Sequence, residues 1–193
     1  MMGRRHSSAE KSEAEYRLFQ RIRRGDVASF EAFCVRVEGP LFGYVLRLVK
    51  DRTEAEDIAQ EAFLRLYRAA GLGKLNRAPR PYLFSIAHNL ATDFHRRRKN
   101  VVPLRATEAA SAAREAERSL LREQIDKALA ALPESHRSAI MLREFGELSY
   151  ADIANTLGAT LDQVKVWIHR ARKRLAELLD RDGQYVGERN NGA

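Results

Sequence analysis

The stretch SYADIANTLGATLDQVKVWIHRARKRLAELL, Ser149 to Leu179, decides the fold. Ser149 and Asp152 frame the start of a short helix. Gly158 ends that helix after Leu157 with the backbone freedom a C′ position needs, and Thr160 with Gln163 opens a second helix through a capping box. The second helix places Leu161, Val164, Ile168, Ala171, Leu175 and Leu178 at steps of three and four, which gathers them into one apolar seam. Two helices joined by a short glycine-bearing turn make a helix-turn-helix. Away from the seam stand Gln163, Val166, Arg170 and Lys173, flanked by Trp167, His169 and Arg174. From Val164 to Arg174 there are five Lys or Arg and no acid. Set into a major groove, such a helix offers Gln163, Val166, Trp167 and Arg170 to base edges and Lys165, Lys173 and Arg174 to phosphates. Arg172 turns back towards the seam and is expected to serve a structural ion pair.

Outward from this stretch the helical period persists. Apolar residues recur every three or four positions, strand alternation is absent, and only five prolines interrupt 193 residues. The fold class is therefore all-α. The segment 101–118, VVPLRATEAASAAREAER, has small residues and no large apolar period, and reads as a linker that turns helical in its second half. It divides two small helical domains, 14–100 and 119–181, the second carrying the helix-turn-helix. Polar residues 1–13 and the Gly- and Asn-rich residues 182–193 read as loose ends. The formal net charge of +8 favours polyanionic partners. No run resembles a signal peptide or a membrane span, and one cysteine, Cys34, cannot form an internal disulfide; a cytoplasmic protein without membrane insertion is expected.

Charge is segregated in the first domain. From Asp51 to Glu61 five acids accompany one base. Here Thr53 and Glu56 read as a capping box, Ile58, Ala62, Phe63 and Leu66 as a buried stripe, and Glu54, Asp57, Gln60, Glu61, Arg65 and Arg68 as the opposite side. That side is either a solvated face in which Glu61 pairs with Arg65, or a docking face for a basic partner. From Lys74 to Lys99, by contrast, seven bases accompany one acid. In RPYLFSIAHNLATDFHRRRKN (Arg80–Asn100) the pattern places Leu83, Ile86, Ala87, Leu90 and Phe94 inward. Ser85, His88, Thr92, His95, Arg96 and Lys99 fall outward, with Asn89 and Asp93 along the border. Such a surface suits phosphates and exposed base edges, and Lys74, Asn76 and Arg77 on the preceding turn suit the rim of a pocket for an unstacked base. Asp93 lies well off the direction shared by His88 and His95, and no second carboxylate cluster accompanies them, so neither a metal site nor a cofactor is expected.

Three segments, DRTEAEDIAQEAFLRLYRA, YLFSIAHNLATDFHRRR and ALAALPESHRSAIMLREFGELSYADIANTLG followed by VKVWIHRARKRL, occur in the order and spacing of the extracytoplasmic-function (ECF) sigma factors of bacterial RNA polymerase, and the chain resembles that family from about Glu15 to Leu179. The resemblance implies a polymerase subunit without an active site. Its acidic helix would dock on the clamp helices of the largest core subunit through Asp57, Gln60 and Glu61. Its basic helix and preceding loop would read the minus-ten promoter element, where a flipped base is captured. The residues for this are Lys74, Asn76, Arg77, His88, Asn89, Thr92, Asp93 and Arg96. The second domain would dock on the polymerase flap and read the minus-thirty-five element as duplex, and an anti-sigma factor would regulate the whole. The chain departs from the family where Tyr82 replaces the usual tryptophan and Ser85 an arginine. In the recognition helix Asp162-Gln163 and Val166-Trp167 replace Gly-Thr and Ser-Arg.

A stand-alone helix-turn-helix regulator would leave the acidic helix unexplained. A nucleic-acid hydrolase would need a convergent carboxylate or His/Cys set, which the sequence does not supply.

Overall fold

The structure, a computed structural model, describes residues 16–75, 78–98 and 113–181. These residues form helices α1 (16–23), α2 (Val27–Val49), α3 (Arg52–Gly71), α4 (Pro79–Arg98), α5 (Ala113–Ala130), α6 (Glu134–Glu144), α7 (Tyr150–Leu157) and α8 (Leu161–Arg181), with no strand among them. Local chemistry sets most of the boundaries. Asp26 caps α2 by accepting from the Ser29 backbone N–H at 3.1 Å and its hydroxyl at 3.0 Å, bonds that hold the Asp26 carboxyl below its ordinary pKa. Lys50, at φ 57°, closes α2 in the left-handed region and sends its N–H back to Leu46 O. The next residue, Asp51, opens α3 by accepting from the Glu54 N–H at 3.3 Å. The expected cap at Thr53 is thus corrected: the helix begins earlier, and Thr53 lies inside its first turn. Pro79 heads α4, where its missing N–H costs no hydrogen bond.

The first three long helices pack on one another through Phe33, Val37, Leu41 and Tyr44 of α2, Ala55, Ile58, Ala62 and Leu66 of α3, and Leu83, Phe84, Ala87 and Ala91 of α4. The alanines of α3 and α4 let backbones approach closely, while the large residues of α2 fill the space between. In the second half, Ile140 and Leu142 of α6, Ile153 of α7, and Val164, Ile168 and Ala171 of α8 form the centre. The seam anticipated on α8 holds at those three residues, but Leu161 is 44% exposed. It occupies the first helical position, one turn beyond the reach of α6 and α7. Helix α5 begins at Ala113, inside the segment read as linker.

The two halves meet. Gly146 lies against Phe84: a Cβ there would stand 3.2 Å from the Phe84 ring and 2.6 Å from Leu142 O, so only glycine fits without displacement. Buried Arg80 donates to Gly146 O at 3.4 Å, and Arg47 of α2 pairs with Asp126 of α5 at 2.9 Å while lying 4.7 Å from the centre of the Phe145 ring. Buried residues therefore run continuously from one half to the other. Beside this junction a cleft of about 1090 Å³ opens between α2, α4, α5 and α6.

Candidate functional site

Three surfaces carry the residues singled out from the sequence. The first is the outer side of α3. Asp57 and Gln60 are exposed, and half-buried Glu61 accepts from Arg65 Nε at 2.7 Å. The pair anticipated between Glu61 and Arg65 is therefore present. It spans an exposed i,i+4 step of the kind that contributes only a few tenths of a kcal/mol. Helical spacing adds two residues that charge patterning missed. Leu64, 43% exposed, and Tyr67, 51% exposed, continue the same side one turn on, and Tyr67 packs edge-on against Phe30 at 5.1 Å between ring centres. Their signal in the sequence was apolar character outside the buried stripe. The acidic face is consequently an acidic rim around apolar contact area, which is how protein-binding surfaces are built.

The second surface is α4, and here the expected facing is corrected. The helix is covered by α2, α3 and α7, so its buried arc is broad and centred on Phe84, Ala87 and Ala91; Ile86, Leu90 and Phe94 are only half-buried. Ser85, expected outside, is buried. His88 turns towards α2, where its Nδ1 shares a hydrogen bond of 2.8 Å with the Tyr44 hydroxyl. Burial pushes the Tyr44 phenol upward. Burial also lowers the His88 pKa, an effect partly offset by the negative charge of Glu134. His95 Nε2 donates to Leu48 O at 2.8 Å, and Thr92 Oγ1 to His88 O at 2.9 Å. Both residues line the cleft with His88. The solvent arc holds Asn89, Thr92, His95, Arg96 and Arg97, the expected outward facing of Thr92, His95 and Arg96 being present, with half-buried Asp93 at its edge paired to Arg96 at 3.0 Å. Lys74 is exposed on the preceding loop, which Leu75 anchors in the core. Asn76, Arg77 and Lys99 lie outside the described residues.

The third surface is α8. Its start is as anticipated: the Thr160 N–H donates to Gln163 Oε1 at 2.8 Å, and the Gln163 N–H to Thr160 Oγ1 at 3.2 Å. Ser149 and Gly158 likewise cap α7, with Gly158 at φ 61°. Arg172 forms its structural pair with Glu144 at 3.0 Å, joining α8 to α6. Val166 stands opposite the seam and is 43% exposed, whereas Trp167 leans into the core. Lys165 pairs with Asp162 at 2.8 Å and Arg174 with Glu177 at 3.1 Å, while Lys173 and Arg170 are exposed. The charge of Arg170 reaches His136 of α6 and, after burial, lowers its pKa.

None of these surfaces converges on reaction chemistry. Among the described residues no group of three His, Cys, Asp or Glu is placed to hold a metal, and no helix is long and apolar enough to cross a membrane. The Cys34 thiol, half-buried, is pushed up to about 11 by burial and by Glu38 and Glu31, so it is not a nucleophile at neutral pH.

Comparison with known proteins fits the order of these surfaces. Residues 35–101 match Sigma-70 region 2, and residues 122–175 match Sigma-70, region 4. The RNA polymerase sigma-H factor of Pseudomonas aeruginosa is 32% identical over 182 residues, covering 86% of this chain and 94% of that protein. The ECF RNA polymerase sigma factor SigW of Bacillus subtilis is 30% identical over 175 residues, covering 83% of this chain and 94% of its own length. Among solved structures, CnrH in complex with the cytosolic domain of CnrY aligns with a TM-score of 0.66 at 25% identity, over 88% of this chain and 99% of that one. The sigma factor RpoE in complex with the anti-sigma factor NepR from Bartonella quintana aligns at 0.64 and 26%, over 79% and 98%. With both regions matched in order and relatives covered almost end to end, the chain belongs to the ECF sigma factors of the sigma-70 family.

Proposed function

We propose that the three surfaces divide the work of an alternative sigma factor, a non-enzymatic subunit that binds core RNA polymerase in the cytoplasm and directs promoter recognition and melting. Domain 14–100 docks on the clamp helices through Asp57, Gln60 and Glu61, with Leu64 and Tyr67 supplying apolar area beside them. Asn89, Asp93 and Arg96 on the open arc of α4 read the minus-ten element, with Lys74, Asn76 and Arg77 at the rim of the captured base. His88 acts from behind, holding the helix against α2 through Tyr44, while exposed Thr92 stands beside Asn89 and Arg96 on the DNA side. Capture of an unstacked base offsets a few kcal/mol of unstacking and so nucleates melting without ATP. Domain 119–181 reads the minus-thirty-five duplex with α8 and docks on the flap; 101–118 connects the two.

The observation that carries this reading is the presence, in one chain, of an exposed acidic-apolar helix, a helix with a polar solvent arc and a helix-turn-helix with an exposed recognition face. A stand-alone DNA-binding regulator uses only the last. Promoter elements 25 base pairs apart are separated by roughly 85 Å along duplex DNA, so the junction at Gly146, Phe84 and Arg47 parts when both are read. The packed arrangement suits a regulator that binds across the two halves, and a solved relative is held by an anti-sigma factor. Such a factor is assigned to this chain as well.

Run-off transcription with purified core polymerase tests the reading. The wild-type chain confers initiation at a selected promoter; reversing the charge of both Asp57 and Glu61 abolishes core binding while leaving duplex binding by the second half intact. Unchanged core affinity in that variant overturns the docking assignment.

A further inference from the structure

The outer side of α8 is simpler than its charge suggests. Lys165 is tied to Asp162 and Arg174 to Glu177, so two of its cations are already neutralised locally. Gln163 spends its carbonyl oxygen on the Thr160 N–H. That bond takes one of the two lone pairs of Gln163 Oε1 and leaves the amide NH2 available as a donor. Trp167 is half-buried and packs against the core. What remains along the line opposite the seam is an amide donor at Gln163, an apolar side chain at Val166 and a guanidinium at Arg170, with the exposed ammonium of Lys173 beyond them. Arg170 has no ion-pair partner among the described residues.

At 1.5 Å of rise per residue these three are spaced by about 4.5 and 6 Å, each about one to two base-pair steps. In the major groove thymine alone combines a projecting methyl group with an acceptor, O4. An apolar residue beside an available donor matches that pair of features. We propose that Val166 is the specificity-determining residue of α8, selecting a thymine in the minus-thirty-five element by contact with its C5-methyl group. Gln163 donates to an acceptor on that base or its neighbour. The inference rests on α8 being the duplex-reading helix, and it names the base which that helix requires.

The test uses holoenzyme assembled from the full chain and core polymerase, selected on a duplex library randomised across the minus-thirty-five region. In the selected duplex each thymine is then replaced by deoxyuridine, which removes the methyl group and nothing else. At one position this substitution weakens wild-type binding about four-fold, the size of one buried methyl group, and Val166→Ala weakens binding to the thymine duplex by a similar factor. Combining the two produces no further loss. Val166 is on the surface, so Val166→Ala keeps the wild-type melting temperature. Equal loss on deoxyuridine substitution in wild type and Val166→Ala overturns the proposal, as does a selected element without thymine at any sensitive position. A library that yields no preference at all in this region, while core binding persists, overturns the assignment of α8 to duplex reading together with it.

Discussion

Helices α4 and α8 are both basic, and both are assigned to promoter DNA, yet they are built on opposite plans. Helix α8 packs on α5, α6 and α7 along one side, buried at Val164, Ile168 and Ala171 and half-buried at Trp167 and Leu175, and leaves the opposite side to solvent. Helix α4 is enclosed by α2, α3 and α7, buries Leu83, Phe84, Ser85, Ala87 and Ala91, and shows solvent an arc through Asn89, Thr92, His95 and Arg96. The difference suits the two tasks. A helix that enters an intact groove needs clearance on several sides. A helix that holds a base out of its stack needs rigidity, because any movement of the platform returns part of the unstacking energy.

The sharpest break of this comparison is in stability. Phe84→Ala, at the centre of the enclosed helix, is expected to cost about 3–5 kcal/mol in urea unfolding, whereas Val166→Ala stays within about 0.5 kcal/mol. Similar losses at the two sites remove the distinction. Tyr44→Phe comes next: it keeps the ring but removes the hydroxyl hydrogen-bonded to His88 Nδ1, leaving a half-buried ring nitrogen without that partner at a cost of about 1–2 kcal/mol. A third prediction concerns pH. Burial holds the His88 pKa below its ordinary 6.5, so the unfolded chain takes up the proton first as pH falls. The contribution is complete above about pH 6.5, declines as pH drops from there, and levels off below the folded pKa. His136, lowered by burial and by Arg170, acts in the same direction. His88→Gln therefore reduces, without abolishing, the fall in urea midpoint between about pH 7.5 and 5.5; an unchanged fall excludes His88 as a source. The smallest effect belongs to α8: Arg172→Ala removes an exposed pair with Glu144 and costs a few tenths of a kcal/mol.

The same contrast explains what the sequence disclosed. One-sided packing leaves a clean period, so the α8 seam, both capping motifs of the helix-turn-helix and the Arg172 pair could be read residue by residue. On α4 the neighbours are dictated by tertiary contacts, and a helix packed on several sides has no single period to read. Ile86, Leu90 and Phe94 read as inward while the buried Phe84 and Ala91 were passed over, and His88 looked outward. Tyr44, forty-four residues away, decides its direction. At α3 the acids drew attention to Asp57, Gln60 and Glu61, but the exposure of Leu64 and Tyr67 follows from where α2 and α4 stop covering the helix. The junction between the halves was illegible for the same reason. Nothing near Gly146 in sequence announces the Phe84 ring against it.

The central claim is that α4 acts on melted DNA and α8 on duplex DNA. It is tested most directly by permanganate reactivity of the minus-ten thymines, measured beside promoter binding for holoenzyme carrying Asn89→Ala or Val166→Ala. Asn89→Ala is predicted to leave closed-complex affinity near wild type and to suppress permanganate reactivity. Val166→Ala is predicted to weaken closed-complex binding, with normal reactivity in the complexes that do form. Normal melting with Asn89→Ala would contradict the account.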